Sequence, residues 1–196
     1  MTISEPMTLI TDYLLAAVTA WLSVRLFRKS QTSTRFWTLA FAALALGAFL
    51  GGTWHGFLQS DALWKATVLT VGVASFAMLA GSAIATTSGS SRNLLLALAV
   101  AKLIVYSVWM LRRDEFIFVV LDTGIAFAAV AALHVWRFNG WILAGVAVSV
   151  IAALVQASGL SLHRHFNHND LYHVIQIGAM VLLYRGARLL TDWDRR

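Results

Sequence analysis

"LLLALAVAKLIVYSVWML", residues 94–111, decides how many times this chain crosses a membrane. It is 18 residues long and has Lys102 near its middle. A transmembrane helix needs about 20 mostly apolar residues, and a charge at membrane depth costs at least a few kcal/mol unless it is paired or hydrated. It is therefore the weakest of the candidate spans, and retaining it makes their number seven. Moving outward along the chain, the windows are roughly 9–27, 36–58, 63–87, 94–111, 116–136, 141–160 and 171–190.

Composition agrees with that count. Of the 196 residues, 59% are hydrophobic and 12% charged, and there is one Pro, a balance far from that of soluble domains. The first span is too poorly flanked to be a cleaved signal peptide. The connections are short, with neither strand alternation nor a low-complexity linker nor a convincing internal repeat. The expected fold is an all-α integral membrane protein, with residues 1–196 forming a single seven-transmembrane-helix bundle. The formal charge of +6 comes from basic residues scattered singly between apolar runs, with no basic face, so nucleic acid is not expected as a partner.

The scattered cations set orientation instead. Arg25, Arg28, Lys29, Arg35, Arg92, Arg137, Arg185, Arg188, Arg195 and Arg196 fall on one side, ten in all; Lys65, Arg112, Arg113 and Arg164 make four on the other. This bias predicts a cytoplasmic C-terminus and an external N-terminus, in an inner (cytoplasmic) or plasma membrane. Trp37, Trp136 and Trp141 then mark the inner interface, and Trp54, Trp64 and Trp109 the outer one. His134 is expected at the inner interface, and His163 and His165 in a solvated loop.

With depth assigned, the polar residues converge. Asp12 on span 1, His55 on span 2, Asp122 on span 5, Gln156 on span 6, and Asp170, His173 and Gln176 on span 7 all fall within about 5 to 10 Å of the outer boundary, at about 1.5 Å of rise per residue. Intramembrane ionisable groups mark a functional site by default. The bland alternatives are that Asp12 caps its helix and that groups one turn inside reach water. On span 7, Asn169, Asp170, His173 and Gln176 share one stripe, whereas His168 lies off it and belongs to the helix start, with Asp170 at the positive end of the dipole. In "GAFLGGTWHGF", residues 47–57, Gly47 and Gly51 share a face with His55, a small-residue pattern that lets another helix approach. There is no cysteine, so a metal here would be held by His together with oxygen or amide ligands. Two His with an Asp or Asn suit zinc with an open position.

Seven spans, a His near the outer end of span 2 and "HNDLYHVIQIGAMVLLYRG" (residues 168–186) together resemble the CREST superfamily, of which this chain looks like a divergent, bacterial-like member. That superfamily includes the alkaline ceramidases, the adiponectin-type progestin receptors and the Per-type GPI-remodelling proteins. The resemblance implies a seven-helix bundle with zinc on one helix-2 His and an H-x-x-x-H pair on helix 7, aided by a Ser and a helix-3 Asp. His55 and His173 match two of these positions. Asn169 stands for the first His of the pair, Gly51 for the Ser, and span 3 has no internal Asp, Asp61 lying before it.

What the resemblance implies is a rebuilt site, with zinc on His55 and His173 helped by Asp170 and Asn169, and with Asp122 or Asp12 as general base. The reaction would be hydrolysis of an amide or ester in a lipid drawn from the outer leaflet. A non-catalytic, receptor-like lipid-binding protein of the same fold is the alternative. A transporter is disfavoured by the lack of inverted repeats, and a retinal protein by the lack of a lysine on span 7.

Overall fold

The structure is a computed structural model and describes residues 4–163 and 166–195; Arg164, His165 and Arg196 lie outside them. Seven α-helices follow one another: α1 (Pro6–Phe27), α2 (Thr32–Gly56), α3 (Asp61–Thr86), α4 (Gly89–Arg112), α5 (Ile117–Val135), α6 (Gly140–Ser158) and α7 (His168–Ala187), with a 3-10 turn at Trp193–Arg195. Six of these, α1 to α6, are long and apolar enough to cross a membrane, which makes this a membrane protein. The helix left out is α7, whose first turns are polar. The 94–111 segment, the weakest span by sequence, lies in α4, the most apolar of the six.

The helices close a ring in which α1 packs on α2, α2 on α3, α3 on α5, α5 on α6, α6 on α7 and α7 back on α1. Helix α4 leans on the outside, mainly against α3. It leaves Leu94, Leu98, Ile104, Val105 and Leu111 exposed, as a lipid-facing helix should. Helix α3 is the most buried. Its second half, from Ala74 to Thr86, consists largely of Ala, Ser and Gly. Small residues let neighbouring backbones approach closely where lipid gives no hydrophobic drive between helices. Trp37, Phe41, Leu22, Met78, Met180 and Leu183 fill the core around it.

Helix ends are fixed by side chains. Ser60 and Asn139 cap α3 and α6 by accepting from Leu63 N and Ile142 N. Gln31 at the α2 N-cap makes no such bond. Asp192 replaces it from the far end of the chain, accepting from the backbone N–H groups of Thr32 and Ser33 at 2.8 Å each. Burial pushes the Asp192 carboxyl up, but the hydrogen bonds from Ser33 and Thr32 outweigh it and hold it below the usual carboxylate range.

The small-residue face of α2 is wider than the Gly47–Gly51 pair expected from the sequence, with α3 close at Gly47 and α1 close at Gly52 and Gly56. A Cβ on Gly52 would lie 2.8 Å from the Tyr13 ring and 2.9 Å from the Asp12 Cβ, and one on Gly56 would lie 2.8 Å from Leu9. Helix α1 therefore packs on Gly52 and Gly56. Gly47 meets Thr70 of α3, and Gly51 has ordinary clearance.

Candidate functional site

The site is built where α7 begins. Asn167 caps α7 by accepting from Asn169 N at 2.8 Å and Asp170 N at 3.3 Å. In return, Asp170 Oδ2 accepts from Asn167 N at 2.7 Å. This is a capping box, and it satisfies N–H groups that the first turn cannot pair internally. The other oxygen of Asp170 accepts from the Thr8 hydroxyl of α1 at 2.9 Å. Asp170 thus starts α7 and ties it to α1.

One turn further, His173 points between α1 and α2. Its Nδ1 lies 3.0 Å from Thr11 Oγ1, and its Nε2 lies 3.1 Å from Asp12 Oδ1. His173 and Asp12 are both buried. Proton counting restricts this chain. The Thr11 hydroxyl, which also reaches Thr8 O at 3.1 Å, has a single proton. If that proton goes to Thr8 O, then His173 Nδ1 must carry one to donate; if it goes to Nδ1, the ring proton sits on Nε2. In either case one proton is held between His173 Nε2 and the Asp12 carboxylate.

Beside this pair, His55 near the end of α2 places Nδ1 3.1 Å from Glu5 Oε2. It is close enough to His173 for the two rings to interact electrostatically. Asp12 likewise interacts with Asp170 and Glu5. At Gly51 a Cβ would stand 3.8 and 3.9 Å from the two Asp12 oxygens. The residue that the family resemblance aligned with a Ser therefore faces the carboxylate.

The structure brings together His55, His173, Asp12 and Asp170, and it adds Thr8, Thr11 and Glu5. Asn169 is turned the other way and accepts from Gln156 of α6 at 3.1 Å, while Gln176 donates to Ser149 of α6, also at 3.1 Å. The reason is angular. At about 100° per residue, Asp170 sits about 60° to one side of His173, with Asn169 and Gln176 about 40° and 60° to the other. The stripe is real, but it is wide enough to serve α1 with one edge and α6 with the other.

Asp122 belongs elsewhere. Its Oδ1 accepts from Lys102 Nζ at 2.6 Å, and Lys102 also donates to Ser75 Oγ at 2.7 Å. This pair lies at mid-helix on α3 and α4 because α5 is shorter, so a residue six positions into it is level with their middles. Asp122 is therefore neither in the outer polar layer nor in contact with His173. His134, expected at the interface, is buried with Nε2 3.1 Å from Ser82 Oγ. Thr8, Thr11 and Glu5 were missed by the sequence reading, although Thr8 and Thr11 lie four and one residues before Asp12 on one side of α1.

A metal can be tested against these donors. Both histidines commit Nδ1 to a protein partner, the arrangement that leaves Nε2 for a metal. The 3.1 Å between His173 Nε2 and Asp12 Oδ1 is close to the separation of about 3.3 Å between two ligands on one tetrahedral zinc, given bonds of about 2.0–2.1 Å. Asp170 and Asn169 do not belong to this set, since their oxygens are taken up by the cap, by Thr8 and by Gln156. Among the described residues, no three His, Cys, Asp or Glu side chains converge within reach of one ion. His173 and Asp12 are in contact and are of the donor types that zinc takes, but His55 is not brought within reach of the same ion.

Fold and site together describe a helical membrane protein with a buried His–Asp pair at the junction of α1, α2 and α7. The chain belongs to a family of unknown function (DUF6962), whose model matches residues 7–192. No curated protein matches it, and no solved structure does.

Proposed function

We propose that the junction of α1, α2 and α7 is the centre of a hydrolase that cleaves an amide or ester bond in a lipid. The observation that carries this reading is the buried contact of His173 with Asp12, held by Thr11 on one side and neighboured by the His55–Glu5 pair on the other. Two oriented imidazoles beside a carboxylate are an acid–base set. Zinc held by His173 and Asp12, with His55 moving in to complete the set, would polarise the scissile carbonyl and make the attacking water more acidic.

The chain's own residues account for the rest. At Gly51 a Cβ would make only ordinary contact with the Asp12 oxygens, so the α2 backbone does not crowd the carboxylate. The carboxylate takes a proton from the attacking water as its oxygen attacks the carbonyl, and returns the proton to the leaving amine or alcohol. Thr11 and Glu5 fix the ring orientations, and Asp170 positions α7 without touching substrate. The excess of Lys and Arg on the opposite side argues for an external site and a cytoplasmic C-terminus, so substrate would come from the outer leaflet.

The direct His173–Asp12 contact favours a second reading, in which a shared proton occupies that place and the protein binds its lipid without cleaving it. The deciding experiment pairs elemental analysis of detergent-purified protein with mass spectrometry of fatty acid released from a panel of lipid amides and esters. The hydrolase reading expects about one zinc and measurable release, both lost in His173→Ala and Asp12→Asn. Full zinc without release would leave the binding reading. Equal metal content in wild type, His55→Ala and His173→Ala would remove the metal site as drawn.

A further inference from the structure

The His173–Asp12 pair lies within two turns of the end of the bundle where α1 and α7 begin and α2 ends. The layer between the pair and that end has two unlike halves. On one side stand Thr8, one turn before Asp12, and Asp170, one turn before His173, joined at 2.9 Å and almost fully buried at 1% and 0% exposed. On the other stands His55. A Cβ at Gly51 would face the two Asp12 oxygens at 3.8 and 3.9 Å, and His55 follows four residues later on the same face of α2, about 6 Å nearer the end. It therefore stands over the carboxylate. The side chains of His55 and its partner Glu5 are 20% and 38% exposed, so this is the half of the layer that meets water.

The local sequence explains why Glu5 lies there. Pro6, the one proline of the chain, opens α1, and the residue before a proline is turned away from helical backbone. Glu5 accordingly has φ −131° and ψ 77°, and its carboxylate makes no cap bond to α1. The chain crosses to α2 instead. Ser4 N donates to Gly56 O at 3.4 Å, Ser4 Oγ donates to His55 O, and Glu5 Oε2 lies 3.1 Å from His55 Nδ1. Two consecutive residues thus hold both the backbone and the ring of His55. The hold is light, because water competes for both members of an ion pair this exposed. The Thr8–Asp170 half is dry, and its carboxylate is shared with the α7 capping box.

We infer that His55 and the Ser4–Glu5 segment form a gate over the His173–Asp12 pair, closed in this structure, which opens by rotation of the His55 ring away from Glu5 and admits the reacting molecule. What enters rests on the hydrolase reading above; the gate is measured without substrate or metal. Hydrogen–deuterium exchange at the imidazole C2–H groups of the full chain in detergent, read by tandem mass spectrometry, tests it at His173. His134, bonded to Ser82 on α3, is the internal reference. Glu5→Ala should speed exchange at His173 about two- to fivefold, the shift that a partly exposed ion pair controls, with His134 unchanged. Glu5→Gln loses the same charge but keeps an acceptor for Nδ1, so it should stay nearer wild type. His55→Ala removes the gate ring and should exceed Glu5→Ala. Wild-type exchange at His173 in both Glu5→Ala and His55→Ala would overturn the gate. So would a parallel rise at His134, which marks a loosened bundle, and so would equal rises in Glu5→Gln and Glu5→Ala, which would assign the effect to charge. Exchange that follows the gate in a protein releasing no fatty acid would sink the hydrolase and keep the gate, and hydrolysis with unchanged exchange would do the reverse.

Discussion

Lys102→Met is expected to be among the most destabilising single changes in this chain. Lys102 is the fourteenth residue of the 24 in α4, so about 20 Å of helix separates it from one end and about 15 Å from the other. A four-carbon stem cannot carry its ammonium to water over that distance. The charge is tolerated because Asp122 and Ser75 receive it at 2.6 and 2.7 Å, with the Lys102 and Asp122 side chains only 16% and 5% exposed. Removing Lys102 leaves the Asp122 carboxylate alone in the bundle, with Oδ2 already lacking a partner among the described residues. Breaking a buried pair in this way costs about 3–5 kcal/mol, whereas replacing both members by apolar residues is often neutral or stabilising.

Reversible unfolding in mixed detergent micelles, followed by circular dichroism, gives the comparison. Lys102→Met and Asp122→Leu should each lose about 3 kcal/mol or more, and the double variant should be more stable than either. The competing estimate is the smaller coupling of about 0.6 kcal/mol typical of polar contacts between membrane helices. Single losses of that size, or a double variant whose loss is the sum of the two, would refute the account of a dry, obligatory pair. The double variant should also retain any hydrolase activity, because Asp122 stands apart from His173.

Asp192→Asn should lower stability by about 1 kcal/mol near neutral pH, as expected for a lost helix cap. Its carboxyl is depressed in the folded state, so its contribution is complete above the unfolded pKa of about 3.9 and fades as pH falls through the lower folded value; the gap between wild type and variant in thermal melts should therefore close on acidification. Gly52→Ala should cost about 1–3 kcal/mol by forcing α1 off α2, while Gly51→Ser should be tolerated, and equal melting temperatures for the two variants would contradict the close approach at Gly52. Asp170→Leu should destabilise by about 2 kcal/mol, by stranding the Asn167 N–H and the Thr8 hydroxyl; a neutral result would return Asp170 to the list of functional groups. A reporter fused after Arg196 should be active in the cytoplasm, and activity outside would reverse the orientation.

The helices were legible because apolar windows separated by short polar gaps leave few alternatives in a chain this hydrophobic. The ranking of the spans was less so. Lys102 weakened span 4 in the sequence because its partner is 20 residues away on another helix, and a one-dimensional window counts the charge without its neutralisation by Asp122. Span 7 gained from the opposite effect. Its polar half points to function in an otherwise ordinary helix, yet those residues are what separate α7 from the six more apolar helices. Gly52 and Gly56 show a related limit: four glycines within ten residues announce that something packs closely on α2, but only the rotation of α2 against α1 selects which pair.

The site was legible in part for a geometric reason. Depth along a helix follows from residue number, so His55, Asp12, Asp170 and His173 could be placed at one level without knowing how the helices turn. Asp122 leaves that level because α5 is shorter than α3 and α4, and azimuth, which follows from packing, is why Asn169 faces Gln156. The capping box shows how one residue serves two levels of structure. Asp170 closes the first turn of α7 with one oxygen and holds Thr8 with the other, which fixes both the start of α7 and its rotation against α1. That rotation is what sets His173 Nε2 on Asp12. A change at Asp170 should therefore reach the site through geometry. Asp170→Asn keeps an oxygen for Thr8 and should preserve the His173–Asp12 contact better than Asp170→Leu, even though neither variant alters a residue of that pair.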